Sequence, residues 1–312
     1  MPRVARMVNP DQKTVYHLIS RTALEGFPFK DAEKDEFIRI ISKYSRIYFT
    51  EIIGFCMMGD HFHLLVRMIP DLYFPDREVK KRYHRLYGDK APLPVDDSDT
   101  DDEKRKGYLF FRRKWSNLGK FMQEIQQTFS RYYNQQHNRR GTLWGARFKS
   151  VIVEDGHTLL NCLAYIDLNP VRAGIAVKPE DYRWNTLGTH TRSKGSAGFL
   201  SLDFGFKEFD GLNDKERIHW YRRFVGEKAA GDDRFPETKG AKAPSSVSQS
   251  APPNRFTQRT RYFSDSGIIG TSEFVASNYQ RYKHLFQSRN KKIPKRIRGL
   301  SDIYSMKRLS EP

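Results

Sequence analysis

Met58-Gly59-Asp60-His61-Phe62-His63-Leu64-Leu65-Val66-Arg67-Met68 alternates over its second half. Phe62, Leu64, Val66 and Met68 fall on one side of a strand; His61, His63, Leu65 and Arg67 fall on the other. Same-side neighbours on a strand stand close enough for two imidazoles to bind one metal ion. The pair also reads as two half-exposed histidines on an ordinary strand, so it needs company from elsewhere in the chain. Gly59-Asp60 supplies a turn, and Glu51 to Met58 before it is a short apolar run. That run reads as a central strand to which the His-bearing strand returns antiparallel.

Working outward, Thr14 to Ala23 is rich in β-formers and reads as a strand, broken by Gly26 and Pro28. From Asp31, the residues Phe37, Ile40, Ile41, Tyr44, Ile47 and Tyr48 recur at helical spacing. Trp115 to Gln136 is a second helix, with Leu118, Phe121, Met122, Ile125, Phe129 and Tyr132 as its apolar stripe. Phe148 to Val153 reads as a strand. Asp155 is placed to cap a third helix, whose apolar residues run from Leu159 to Leu168 before Pro170. The order strand-helix-strand-strand-helix-strand is the ferredoxin-like split unit. The fold class is therefore α+β: a split βαβ core with an antiparallel sheet, an extra helix, and a basic C-terminal extension. The extra helix belongs on the open face of the sheet, where His61 and His63 point, with Leu65 packing against it.

Tyr165 and Asn169 are four apart on that helix and share a face, with Thr158, Asn161 and Cys162 one and two turns earlier. A nucleophile candidate and an oxygen ligand thus lie together, although Pro170 disfavours the α conformation at Asn169. Tyr132 and Tyr133 are rivals. Tyr132 reads as a packing aromatic, and Gln136 and His137, four residues on from the two tyrosines, fall on a polar tail.

His61-Phe62-His63, Gly141-Thr142-Leu143-Trp144-Gly145-Ala146-Arg147-Phe148-Lys149-Ser150, Tyr165-Ile166-Asp167-Leu168-Asn169-Pro170-Val171-Arg172-Ala173-Gly174 and Asp181-Tyr182-Arg183-Trp184 occur in that order. Together they resemble the single-tyrosine HUH transposases, and within them the REP-associated tyrosine transposases. The resemblance runs from about Thr14 to Leu187. Gly59-Asp60 stands where that family more often has Pro-Asn, and Asp167 where it often has His; neither position is an expected ligand. The resemblance implies a divalent cation, Mg²⁺ or Mn²⁺, held by His61, His63 and Asn169. It implies Tyr165 as nucleophile, forming a 5′-phosphotyrosine and leaving a free 3′-OH. The implied substrate is single-stranded DNA beside a hairpin, and the implied state is a monomer or a homodimer.

The 312-residue chain carries 55 Lys and Arg against 37 Asp and Glu, a net +18 that points to nucleic acid. Arg112, Arg113, Lys114, Arg139, Arg140, Arg147 and Lys149 surround the expected core as candidate phosphate contacts. Trp144 and Phe148 are candidates to stack bases or to pack in the core. No apolar run approaches a membrane span. Met1 to Thr14 lack a signal-peptide core, and Cys56 and Cys162 sit in apolar contexts, so the expected place is the cytoplasm, at the nucleoid.

The expected organisation is a catalytic domain over 1–190 interrupted by an insertion at about 70–113. The insertion holds the acidic run Asp96 to Glu103, read as a solvated mobile tip. A helical extension over 191–227 follows, then a flexible linker over 228–255 and a basic segment over 256–312. Asn254 to Pro312 holds 13 Lys and Arg against four Asp and Glu, half the net charge, and reads as a DNA-contacting tail that leaves the chemistry alone. A non-catalytic nucleic-acid-binding protein on the same fold, or a phosphodiesterase that uses water, fits the charge; neither accounts for His61, His63, Tyr165 and Asn169 together.

Overall fold

β1 (Thr14–Arg21) leads into α1 (Asp31–Ser45) and the hairpin β2 (Thr50–Met57) and β3 (His61–Met68). Next come α2 (Asp76–Tyr87), α3 (Asp101–Trp115), α4 (Leu118–Gln136), β4 (Lys149–Val153), α5 (His157–Asp167) and the single turn α6 (Asn169–Arg172). Then follow α7 (Thr186–Arg192), α8 (Asp214–Ala230), α9 (Tyr262–Asp265), β5 (Ser266–Gly270), α10 (Ser272–Tyr282), β6 (Lys295–Arg296) and β7 (Tyr304–Lys307). This computed structural model describes residues 6–92, 101–193, 198–230, 262–285, 293–297 and 300–307.

β1 lies between β3 and β4 and pairs antiparallel with both, while β3 pairs antiparallel with β2. The order β2-β3-β1-β4 is the split arrangement expected from the sequence. Alternation sorts the side chains onto two faces. The Phe62 face meets α1 and α4: Phe37 lies 4.5 Å from Phe62 and 5.5 Å from Phe129 between ring centroids. Helix α4 starts at Leu118, not Trp115, because the Asn117 side chain accepts from Lys120 N (3.0 Å) and caps it. Tyr133, not Tyr132, completes its buried stripe, being four residues on from Phe129.

β2 is an edge strand, not the central strand its apolar run suggests. It is buried because its open edge is covered. Met57 N donates to Trp184 O (2.9 Å), Phe55 N to Thr186 Oγ1 (2.9 Å), and Ser201 N to Ile52 O (2.7 Å). The other face receives α5. Leu163 presses onto Gly54, where a Cβ would stand 2.0 Å from Leu163 Cδ1. Asp155 does not cap α5; the N-cap is Gly156, at φ 77°. Asp155 instead pairs with the buried Arg67 (2.7 Å), which also meets Glu51 (2.7 Å) and Asp203 (3.0 Å).

Asp167 ties the end of α5 to two other helices. Its carboxylate accepts from Tyr221 Oη (2.7 Å) on α8 and from Thr186 N (2.8 Å) and Leu187 N (3.2 Å) at the start of α7. Full burial outweighs these bonds and pushes the carboxyl up to about 7. Asp167→Ala leaves three buried donors unpaired and should destabilise the fold by about 2–4 kcal/mol, measured by denaturant unfolding.

Three parts of the expected organisation change. The insertion is helical: Val79 of α2 and Phe111 and Trp115 of α3 join the core, while the stretch 96–100 of the acidic run lies outside the described residues. The linker expected over 228–255 begins inside α8, with Lys228 and Ala229 buried; 231–255 lies outside the described residues. The described residues of the basic segment, 262–285, 293–297 and 300–307, fold rather than trail as a tail. β5 pairs parallel with β4, and β7 and β6 extend the sheet to seven strands. Ile268, Ile269 and Val275 are fully buried, which is why the segment folds onto the domain. Of its most basic run, 289–292 and residue 298 lie outside the described residues.

Candidate active site

The β3 register decides what surrounds the histidines. Arg21 stands opposite His61 and Ile19 opposite His63, so the β1 residues Arg21, Ile19 and His17 share their face; on β4 so does Lys149, opposite Ile19. The His61 and His63 rings are 5.2 Å apart. The ring of Tyr165 on α5 lies 6.1 Å from that of His63. His61, His63, Tyr165 and Asn169 line one cleft of about 690 Å³, together with Arg21, Arg147, Lys149 and Arg172. Tyr165 and Asn169 do not lie on one continuous helix: α5 ends at Asp167, with Leu168 as its C-cap, and Asn169 opens α6. The Asn169 Nδ2 donates to Ile166 O (3.2 Å), which leaves its amide oxygen as the candidate ligand atom.

Each imidazole is held from behind. His61 Nδ1 bonds the Asp60 carboxylate, which also pairs with Arg21. A carboxylate only accepts, so His61 Nδ1 carries a proton, and Nε2 is the nitrogen turned to a metal. His63 Nδ1 lies 2.8 Å from His17 Nε2, and His17 Nδ1 lies 2.7 Å from the backbone oxygen of Phe263. Burial pushes the His63 pKa well below the ordinary imidazole value, and His17, His61, Arg172 and Arg21 push the same way. It is therefore neutral at physiological pH, the form that ligates metals. The neutral His63 imidazole, the His61 ring and the Asn169 amide oxygen form a donor set that fits Mn²⁺ or Mg²⁺. Among the described residues no group of three or more His, Cys, Asp or Glu is placed to hold a metal.

Tyr165 is buried, with its ring 5.0 Å from that of Phe263. The Arg172 guanidinium lies 4.1 Å over the phenol ring and its Nη2 donates to Tyr165 O (2.6 Å). Burial lowers the Arg172 pKa, and attraction to Tyr165 opposes that shift. A cation over the ring favours the phenolate that attack requires.

The candidate DNA contacts divide. Arg147 and Lys149 line the cleft, and Lys149 pairs with Asp265 of α9 (3.3 Å). Arg147 also lines an adjoining cleft of about 900 Å³ with Arg6, Arg131, Gln123 and Gln127. Arg112 pairs with Asp76 (2.6 Å) and Lys114 with Glu124 (3.0 Å). These two and Arg113 belong to the end of α3, where Phe49 N donates to Trp115 O beyond the other end of β3 from His61. Arg139 lies over Tyr133 (5.9 Å) after α4, and Arg140 is exposed beside it. Trp144 and Phe148 pack and also line that adjoining cleft: the Trp144 ring sits 5.4 Å from Phe62 and 5.7 Å from Phe129, and Phe148 lies under Arg6.

His17, Asp60 and Arg172 escape a reading of the sequence as ligands or contacts. Arg172 carries one signal, its spacing of seven from Tyr165, two turns along one helical face. His17 carries a weaker one, the alternation with Val15 and Ile19, which becomes informative only when the β1–β3 register is known.

The cleft joins a histidine pair, an amide and a buried tyrosine, a set suited to phosphodiester chemistry. Residues 11–89 match the family described as "Transposase IS200 like", so the resemblance is borne out over β1 to α2, including both histidines and stopping short of Tyr165. A solved structure titled "Structure of the REP associates tyrosine transposase bound to a REP hairpin" is 15% identical, covering 65% of this chain and 90% of that one at a TM-score of 0.38. At that distance the likeness carries no argument, and the fold stands on this chain's own strand order. No curated protein matches the chain. No helix among the described residues is long and apolar enough to cross a membrane.

Proposed function

We propose that this chain is a transposase that cleaves and rejoins single-stranded DNA through a covalent bond to Tyr165. The observation that carries the reading is the meeting of His61, His63, Asn169 and Tyr165 in one cationic cleft. A divalent cation held by His61, His63 and Asn169 would polarise the scissile phosphate. Tyr165 gives up its phenol proton to water and attacks phosphorus as the phenolate, stabilised by Arg172; as the Tyr165–phosphorus bond forms, the P–O3′ bond breaks, and the departing 3′ oxygen takes a proton from water to become a hydroxyl. The new phosphotyrosine ester conserves the bond energy, so the 3′-OH of another strand can reverse the step; a hydrolase would discard it. Arg21, Arg147 and Lys149 are placed to bind the flanking phosphates. A strand crossing into the adjoining cleft meets Arg131 and the amides of Gln123 and Gln127.

Incubating the protein with labelled single-stranded DNA and Mn²⁺ should give an SDS-resistant protein–DNA adduct. Cleavage with no adduct would favour a water-using phosphodiesterase, and binding without cleavage a non-catalytic module. The path past Arg147 is tested by salt. R147Q combined with K149Q should lower the slope of log K against log salt by ~1.4, since each phosphate contact to a single strand contributes ~0.7. An unchanged slope would place the strand elsewhere.

A further inference from the structure

We propose that His17 and the main-chain carbonyl of Phe263 form a relay that fixes His63 as the tautomer able to ligate a cation, making the C-terminal segment part of the metal site. The inference rests on the metal reading above. The Phe263 carbonyl oxygen can only accept, so His17 Nδ1, at 2.7 Å, must donate to it. In neutral His17 the other nitrogen, Nε2, is then an acceptor. His63 Nδ1 lies 2.8 Å from it and must carry the proton. The lone pair of His63 is left on Nε2, in a ring that lines the cleft.

The alternative protonates His17 twice and turns His63 round, with a proton on Nε2 and no ligand atom for a metal. That places a cation within a buried pair of rings, His17 being 0% and His63 4% exposed, in the cleft that Arg172 and Arg21 also line. The neutral relay has no such cost. The two histidines of β3 are thus oriented by unlike devices. His61 is held by Asp60, its own chain neighbour, and His63 by a residue on β1 that is itself held from 246 positions away. Metal-ligating histidines lose about 10- to 100-fold in metal affinity when such a partner is removed. His17 is on this account a positioning residue: it touches neither substrate nor cation.

The experiment uses the full-length protein. In the metal-free wild type, ¹⁵N spectra of labelled histidine should show His63 protonated on Nδ1 and bare on Nε2, a signature that a merely structural His17 would not set. His17→Phe keeps a ring of similar size and removes both bonds. Its Mn²⁺ affinity, followed by calorimetry or by the Mn²⁺ electron paramagnetic resonance signal, should fall about 10- to 100-fold. His17→Gln, whose amide both donates and accepts, should recover part of the loss. A wild-type His63 protonated on Nε2 would overturn the relay without any variant, so misfolding of His17→Phe cannot shelter it. Mn²⁺ affinity unchanged in folded His17→Phe would overturn the relay while the wild-type site still binds metal and forms adduct. Wild-type protein that takes up no Mn²⁺ would sink the metal reading itself, and the relay's purpose with it.

Discussion

Tyr165→Phe should form no covalent adduct with DNA at any metal concentration. The substitution removes one oxygen and keeps the ring, so the contact with Phe263 and the Arg172 guanidinium above the ring both survive. Folding, Mn²⁺ uptake and DNA affinity should stay near wild type, while the reaction loses its nucleophile because Phe offers no lone pair to phosphorus. Tyr132→Phe and Tyr133→Phe are suitable controls. Both tyrosines belong to α4, on the opposite face of the sheet from the histidines, where Tyr133 packs against Phe29 and His137. Mass spectrometry of the trapped peptide would locate the nucleotide directly. An adduct mapped to either control residue, or one formed by Tyr165→Phe, would remove the basis for the whole site.

The core fold is legible in the sequence because local periodicity and long-range pairing agree. Phe62, Leu64 and Val66 alternate, α1 and α4 carry stripes at helical spacing, and the observed β2-β3-β1-β4 order satisfies both. What escapes is whatever depends on residues far apart in the chain. The run from Glu51 to Met58 has the composition of a central strand, yet its burial comes from Trp184, Thr186 and Ser201 closing an edge. The C-terminal segment reads as a tail because its charge dominates any average, while the few residues that commit it to the sheet, Ile268 and Ile269, are a short pair beside β4. The same limit applies to the site. His61, His63, Tyr165 and Asn169 announce themselves by spacing. His17 becomes a functional residue only through Phe263, and no local pattern links the two.

Removal of His61 or His63 should slow cleavage severely yet leave most DNA affinity. Charge stabilisation by a bound cation is worth several kcal/mol, so His61→Ala or His63→Ala should slow cleavage by ~10³-fold or more. On the proposed reading affinity rests on phosphate contacts from Arg21, Arg147 and Lys149, which neither change removes. The two variants differ in what else they disturb. His61 is partly exposed, and Asp60 keeps Arg21 as a partner without it, so His61→Ala should melt within about 1 °C of wild type. His63 is buried, and its loss opens a cavity and strands His17 Nε2, at a cost of about 1–3 kcal/mol in stability. His61→Ala is therefore the cleaner test. A well-folded His61→Ala protein that cleaves single-stranded DNA at the wild-type rate in Mn²⁺ would show that the cation, if any, is held elsewhere.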